Sequence, residues 1–224
     1  MAEGTKRGDN VPVVRERKGR PNEATQPFRE QKDRDAMTSY FLQRGDLRDY
    51  ALFIFGIYTG RRIGDILALN VNDVAKVDGK GRLCVVDRLK IREQKTDKSF
   101  SFPLHPYVRR ALSKYLRRRR AAAPSVGALL NEPLFKSQKP RRDGELRITK
   151  RHALYLLTTA ARACGLTYRV GTHSMRKTFG YRAYQEGRDI ALIQRALNHS
   201  SPEITLSYIG ITQDDMDDLF YSFE

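Results

Sequence analysis

Four separated stretches of this 224-residue chain carry cationic, imidazole or phenolic groups in settings that a plain core would not choose. In Thr59 to Asp65 (TGRRIGD), Gly60 can take positive φ at a helix end, so Arg61 and Arg62 are presented together at the next turn. Either arginine reads equally well as a solvated surface residue. The stretch GTHSMRKTFGYRAY opens with Gly171 and Thr172, a natural helix start, and sets His173 and Arg176 three apart on one helical face. A phosphate there would meet free backbone amides, the positive end of the helix dipole and two side-chain donors. In LNHSSPEITLSY, His199 follows a helix whose end Asn198 marks, and Ser200–Pro202 turns the chain into a short helix ahead of Tyr208, one of 11 tyrosines. REQKTDKSFSFPL places Lys95 and Lys98 at a hairpin turn, where a solvated lysine is the ordinary reading. Each stretch by itself has a bland explanation.

Taken in order, the set arginine, lysine, His-x-x-Arg, histidine and a tyrosine nine residues later resembles the tyrosine recombinase (phage integrase) family. The motifs stand here as TGRRIGDILALNVNDV, EQKTDKSFSFPL, THSMRKTFG and LNHSSPEITLSY, and the likeness runs from Phe28 to Tyr208. The resemblance implies catalytic roles for Arg62, Lys95, His173, Arg176, His199 and Tyr208, with Asp65 supporting the active-site arginine from behind. By the same resemblance, Tyr208 would be joined to the 3′ phosphate of a cut DNA strand while Lys95 protonates the departing 5′ oxygen. The residue types suit that chemistry. A phosphodiester gathers negative charge on its non-bridging oxygens in the transition state, so preorganised cationic donors are the main lever. Arg62 and Arg176 would offer planar forks to those oxygens, and His199 a further donor. A tyrosine of ordinary pKa ~10 needs a base, for which His173 is the candidate. Because the covalent bond stores the energy of the broken phosphodiester, no cofactor and no metal are expected. The sequence offers no P-loop and no carboxylate cluster suited to a metal.

The elements that must position these groups read as an α+β catalytic domain, mostly helical with a small three-stranded antiparallel sheet. Apolar residues recur at helical spacing from Asp33 to Gln43 and from Leu47 to Tyr58, and 61–69 is a short third helix. Leu83–Asp87, Leu89–Glu93 and Ser99–Leu104 alternate as strands. Pro106 to Ala122 is helical, Pro124 to Asp143 reads as loop, and helices follow at 149–164, 173–186, 189–197 and 202–207. The longest apolar stretch, Tyr50 to Tyr58, is far short of the ~20 residues that cross a bilayer. Cys84 and Cys164 read as reduced core thiols.

With 42 Lys and Arg against 26 Asp and Glu, the net charge is +16, which argues for a polyanionic partner: nucleic acid or an anionic membrane surface. The family reading selects double-stranded DNA and no membrane, in a cytoplasmic, nucleoid-associated protein. Arg117, Arg118, Arg119 and Arg120, and the cluster Lys136, Lys139, Arg141 and Arg142, are the candidate DNA-binding surface; a solvated face is the alternative. Residues 1–27 read as a mobile tail, 28–212 as the catalytic domain, and 213–224 as an acidic segment whose stripe Met216, Leu219 and Phe220 would dock on a neighbouring protomer. A homo-tetramer on synapsed DNA is expected, from a monomer or weak dimer when free.

The sequence departs from the family in three places. Only 61 residues precede Arg62, too few for the usual N-terminal clamp domain, so the expectation is either a catalytic-domain-only member similar to the fimbrial inversion recombinases, or a fragment, or a chain that has lost autonomy. Asn198 stands where the family usually has Gly, and Gly64 where it usually has Ser. Two other functions stay open at this point. One is type IB topoisomerase-like nicking and closing, against which the apolar segment after the tyrosine argues. The other is a catalytically silent DNA-binding accessory protein, against which the intact residue set argues.

Overall fold

Helix α2 (Leu47–Thr59) is apolar on every side beyond its first turn, and Ala51 to Ile57 are all buried, so this helix has to lie at the centre of the molecule. The computed structural model describes residues 24–94, 97–211, 217, 220 and 221. Around α2 pack α1 (Gln31–Gln43), α5 (Pro106–Ala122) and α8 (Thr172–Gln185). The approach to α8 is close: a Cβ on Gly56 would stand 2.4 Å from Met175 Sδ, so only glycine permits the two helices this separation. Gly60 ends α2 with φ +62, a left-handed cap that glycine adopts without strain. The chain then enters α3 (Ile63–Ala68), with Arg62 at its N-cap position.

The expected three-stranded sheet is instead two separate antiparallel hairpins. A short helix α4 (Val71–Val74), capped reciprocally by Asn70 and Asp73, leads into β1 (Ala75–Val77), which pairs with β2 (Leu83–Val85) in the register Ala75↔Val85. The strand β3 (Arg88–Arg92) pairs with β4 (Ser99–Pro103), Arg88 opposite Pro103 and Arg92 opposite Ser99. The hairpins part at two residues: Val86 N donates back to Val74 O at 2.9 Å, whereas Asp87 O accepts from Leu104 N at 2.7 Å. β1 escaped the sequence pattern because it is three residues long and buries only its first. The stretch read as loop after Pro124 contains α6 (Val126–Leu130), whose Ser125 caps Ala128 N at 3.0 Å.

The C-terminal half continues with α7 (Lys150–Ala163), α8, α9 (Ile190–Leu197) and α10 (Pro202–Ile209). α10 runs two residues beyond its expected end, so Tyr208 lies on the helix and not after it. α8, α9 and α10 share a small apolar cluster of Ile193, Leu197 and Ile209, apart from the main core, with Tyr208 packed on its edge. Gly180 makes this packing possible: a Cβ there would meet Ile209 at 2.7 Å and Leu197 at 3.0 Å. Gln26 N donates to Arg169 O at 2.9 Å, and Pro27 is buried. One further expectation is corrected. Cys84 is exposed on the short hairpin and so is no core thiol, while Cys164 is partly buried; both are free. Of the described helices, none is long and apolar enough to cross a membrane.

Candidate active site

The turn after α2, the first turn of α8, the α9 C-terminus and the α10 helix converge on one cleft. A hollow of about 580 Å³ is lined by Arg62, Asp65, Gln94, Lys150, His173 and Arg176, among others. Five of the six catalytic candidates meet at or beside it: Arg62, His173, Arg176, His199 and Tyr208. The sixth, Lys95, lies outside the described residues, as do Met216 and Leu219 of the proposed docking stripe.

Tyr208 Oη stands 3.0 Å from His173 Nδ1. Burial raises the Tyr208 pKa above its ordinary value of ~10, and Arg176 and Arg62 oppose that rise without cancelling it. At neutral pH the residue is therefore a phenol that needs a proton acceptor. His173 is one: the protein packed against the ring, then Arg176, Lys177 and Arg62, hold its pKa below the ordinary histidine value, so it is neutral and basic at pH 7. With its lone pair on Nδ1, the phenol donates to it.

Arg176 is buried, and its guanidinium is fixed by two main-chain carbonyls. Nη1 donates to Gly60 O at 2.7 Å and Nη2 to Leu197 O. Its Cζ lies 5.9 Å from the centre of the Tyr208 ring, and Lys177 Nζ lies 5.3 Å from that centre. The helix end of α2 and the helix end of α9 thus both grip the arginine that α8 delivers.

His199 meets the Tyr208 ring edge-on, with centroids 4.9 Å apart. Burial, then Arg176 and Arg62, push its pKa down to about 4, so it too is neutral at pH 7. Its Nδ1 lies 3.1 Å from Thr205 Oγ1, whose hydroxyl is also 3.2 Å from Ser201 O. A hydroxyl has one proton to give. For Nε2–H of neutral His199 to donate to a phosphate, Thr205 must give that proton to Nδ1, which makes Thr205 part of the site.

One group that the sequence reading passed over, Glu93, holds the arginines in place. Glu93 is wholly buried and accepts from Arg62 Nη1 at 2.7 Å, Arg61 Nη1 at 3.3 Å and Asn198 Nδ2 at 2.8 Å. Arg61 is no solvated residue: it is 4% exposed, donates to Thr59 O at 3.2 Å and to Ala196 O, and lies over Phe100 and Phe102. Burial and the neighbouring Arg176 bring its pKa down to about 10, which leaves it charged. Arg62 keeps 22% of its side chain open to the cleft, so it is the arginine available to a ligand. Asp65 backs the site: Oδ1 accepts from Gln94 N at 2.9 Å, and buried Oδ2 has no hydrogen-bond partner among the described residues. Its position joins α3 to the β3–β4 turn.

The candidate DNA-binding residues divide. Arg117, Arg118, Arg120, Lys139, Arg141 and Arg142 are exposed. Arg119 is turned inward, with hydrogen bonds to Pro133 O at 2.7 Å and Leu134 O at 2.8 Å and an ion pair with Glu132, which also binds Lys136 at 2.8 Å. Arg119 therefore ties α5 to the segment after α6, and Lys136 is paired within that segment.

The family model described as the phage integrase family matches residues 30–214. The probable integrase/recombinase YoeC of Bacillus subtilis is 40% identical over 189 residues, 84% of this chain and 91% of that protein. Tyrosine recombinase XerD of Corynebacterium glutamicum is 29% identical over 171 residues, 76% of this chain and 51% of XerD. The XerH site-specific recombinase, solved on its palindromic difH substrate after cleavage, superposes with a TM-score of 0.62 at 18% identity, covering 90% of this chain and 54% of XerH. The chain thus spans most of YoeC but about half of the Xer proteins. With the family model covering most of the chain and the residue set gathered around one tyrosine, the chain belongs to the phage integrase family, as a tyrosine recombinase catalytic domain.

Proposed function

We propose that this chain is a site-specific recombinase that cuts and rejoins double-stranded DNA through a 3′-phosphotyrosyl intermediate, with Arg62, Lys95, His173, Arg176, His199 and Tyr208 as its catalytic residues. The observation that carries the reading is the 3.0 Å contact between Tyr208 Oη and His173 Nδ1 beside two arginines. The oxygen of Tyr208 attacks the phosphorus while its proton passes to His173. The P–O5′ bond breaks, Lys95 supplies the proton to the leaving oxygen, and Arg62 and Arg176 stabilise the charge on the non-bridging oxygens. Attack by a 5′-hydroxyl reverses each step, so rejoining draws its energy from the phosphotyrosyl bond and no cofactor is needed.

DNA as the partner is supported by the charge of +16 and by structural neighbours solved on DNA. The exposed cations Arg117, Arg118, Arg120, Lys139, Arg141 and Arg142 are proposed to meet phosphates, on a protein that would work at the nucleoid. Assembly as a homo-tetramer on synapsed DNA is proposed through the acidic C-terminal segment. Phe220 there is 74% exposed, an apolar ring available to a neighbouring protomer.

The test uses a pool of nicked duplexes of randomised sequence, in which cleavage releases a short strand and traps the protein on DNA. A protein–DNA adduct that survives denaturation and vanishes in Tyr208→Phe, with DNA binding retained, is the expected result. An adduct that persists in Tyr208→Phe moves the nucleophile elsewhere, and no adduct at all from the unaltered chain overturns the reading.

A further inference from the structure

We propose that Glu93 is a positioning residue that registers Arg62 against the turn carrying His199, and that Asn198 is its partner in that task; the inference rests on the recombinase reading above. Glu93 follows β3 directly, and its main chain closes the β3–β4 turn from both sides: its amide donates to Lys98 O and its carbonyl accepts from Asp97 N, each at 2.9 Å. Its carboxylate, 0% exposed, takes Arg62 on Oε2 at 2.7 Å, Asn198 on the same oxygen at 2.8 Å, and Arg61 on Oε1 at 3.3 Å. Asn198 is the C-cap of α9, one residue before His199, and Arg61 also donates to Ala196 O of that helix. One side chain therefore joins three pieces of backbone: the end of a strand, the turn after α2 and the last turn of α9.

A carboxylate is suited to this place for two physical reasons. Its two oxygens accept several N–H groups at once, and its charge offsets guanidiniums that would otherwise repel each other in a buried setting. Arg62, with its side chain partly open to the cleft, has rotamer freedom that must be removed before its fork can meet a phosphate in one geometry; the ion pair removes it. Asn198 adopts φ +50, a left-handed conformation that costs any side-chain-bearing residue more than glycine, and its amide is engaged with Glu93. The amide contact is what a side chain adds at that position.

The test compares Asn198→Gly, Asn198→Asp, Glu93→Gln and the double variant Glu93→Gln/Asn198→Gly on the nicked duplex that the unaltered chain selects from the randomised pool. Covalent attachment is followed in a single turnover at saturating DNA, with affinity and thermal melting measured alongside. Asn198→Gly suits the backbone and removes only the amide, so it remains folded whatever happens to Glu93→Gln. The expected result is attachment slowed roughly 10- to 100-fold in each of the two single variants that remove one partner, with affinity nearly unchanged, because a small misplacement of a catalytic group costs rate and not binding. Asn198→Asp, which sets a second carboxylate against Glu93, should be slower than Asn198→Gly. The double variant should be no slower than the worse single one, since the two residues act as a unit. Attachment at the unaltered rate in Asn198→Gly, or additive losses in the double variant, overturns the inference and leaves the recombinase reading standing. Equal losses of affinity and rate also overturn it, by making the pair an anchor for DNA. Failure of the unaltered chain to form any adduct overturns both.

Discussion

Replacing Arg61 by alanine should damage the fold, while replacing its neighbour Arg62 should damage the chemistry. Arg61 is 4% exposed and its guanidinium contacts Glu93, Thr59 O, Ala196 O and the faces of Phe100 and Phe102. Breaking a buried ion pair from one side costs about 3–5 kcal/mol. Glu93 would keep Arg62 and Asn198, which pulls that figure to its lower end, and two carbonyls losing a donor at ~1 kcal/mol each push it back up. At ~2–4 °C per kcal/mol for a domain of this size, Arg61→Ala should melt roughly 6–20 °C below the unaltered chain. Arg62→Ala leaves Glu93 with Arg61 and Asn198 and opens a side chain already in contact with solvent, so about 1 kcal/mol and ~2–4 °C are expected. Circular dichroism melts of both variants, beside covalent attachment to the nicked duplex, make the comparison. An Arg61→Ala melt within ~2 °C of the unaltered protein would refute the reasoning, because a guanidinium with these partners cannot be removed without consequence.

Arg62→Lys and Arg176→Lys should each slow attachment by ~10²–10³-fold with a smaller loss of affinity, as for removal of one oxyanion donor; equal losses would make the arginines anchors, and single-turnover rates against filter-binding constants decide. The acid limb of attachment at sub-saturating DNA should have its midpoint below ~6.5, because the depressed His173 pKa keeps the base form populated as pH falls; a midpoint at or above that value would exclude His173 as the base. Neutralising Arg117, Arg118 and Arg120 together should flatten the dependence of log affinity on log salt by ~0.9 for each phosphate that these arginines neutralise. Arg119→Gln should instead lower the melting temperature, since its donors hold Glu132, Pro133 and Leu134; a flattened slope with no change in melting would reverse that division.

Helical spacing made the long helices legible because each buries a continuous stripe, and the ends came within a residue or two: Leu47–Thr59 and Pro106–Ala122 stand nearly as the spacing implied. The short elements were not legible. β1, α4 and α6 are three to five residues long, too short for any period to show, and they are held by end caps and by a hairpin partner. That the strands form two hairpins is decided at Val86 and Asp87, whose hydrogen bonds point to opposite partners. Nothing in the alternation of Leu83 to Glu93 carries that information.

Arg62, His173, Arg176, His199 and Tyr208, which gather at the cleft, were legible from residue type and spacing, but the residues that hold them were hidden in a way that the periodicity itself discloses. On β3, Leu89 and Ile91 point inward, and Glu93 falls two residues further on the same face. A carboxylate on a core face must be paired, and the TGRRIGD turn offers it two cations, Arg61 and Arg62. Likewise Val108, Leu112 and Tyr115 define the inner stripe of α5, and the next position at helical spacing is Arg119, the one arginine of its run that is turned inward. In both places the period had already assigned a charged residue to the interior. For Arg119 the charge directed attention to an external ligand, but a buried charge first needs an internal partner, and here the partners are Arg61, Arg62 and Asn198 for Glu93 and Glu132 for Arg119.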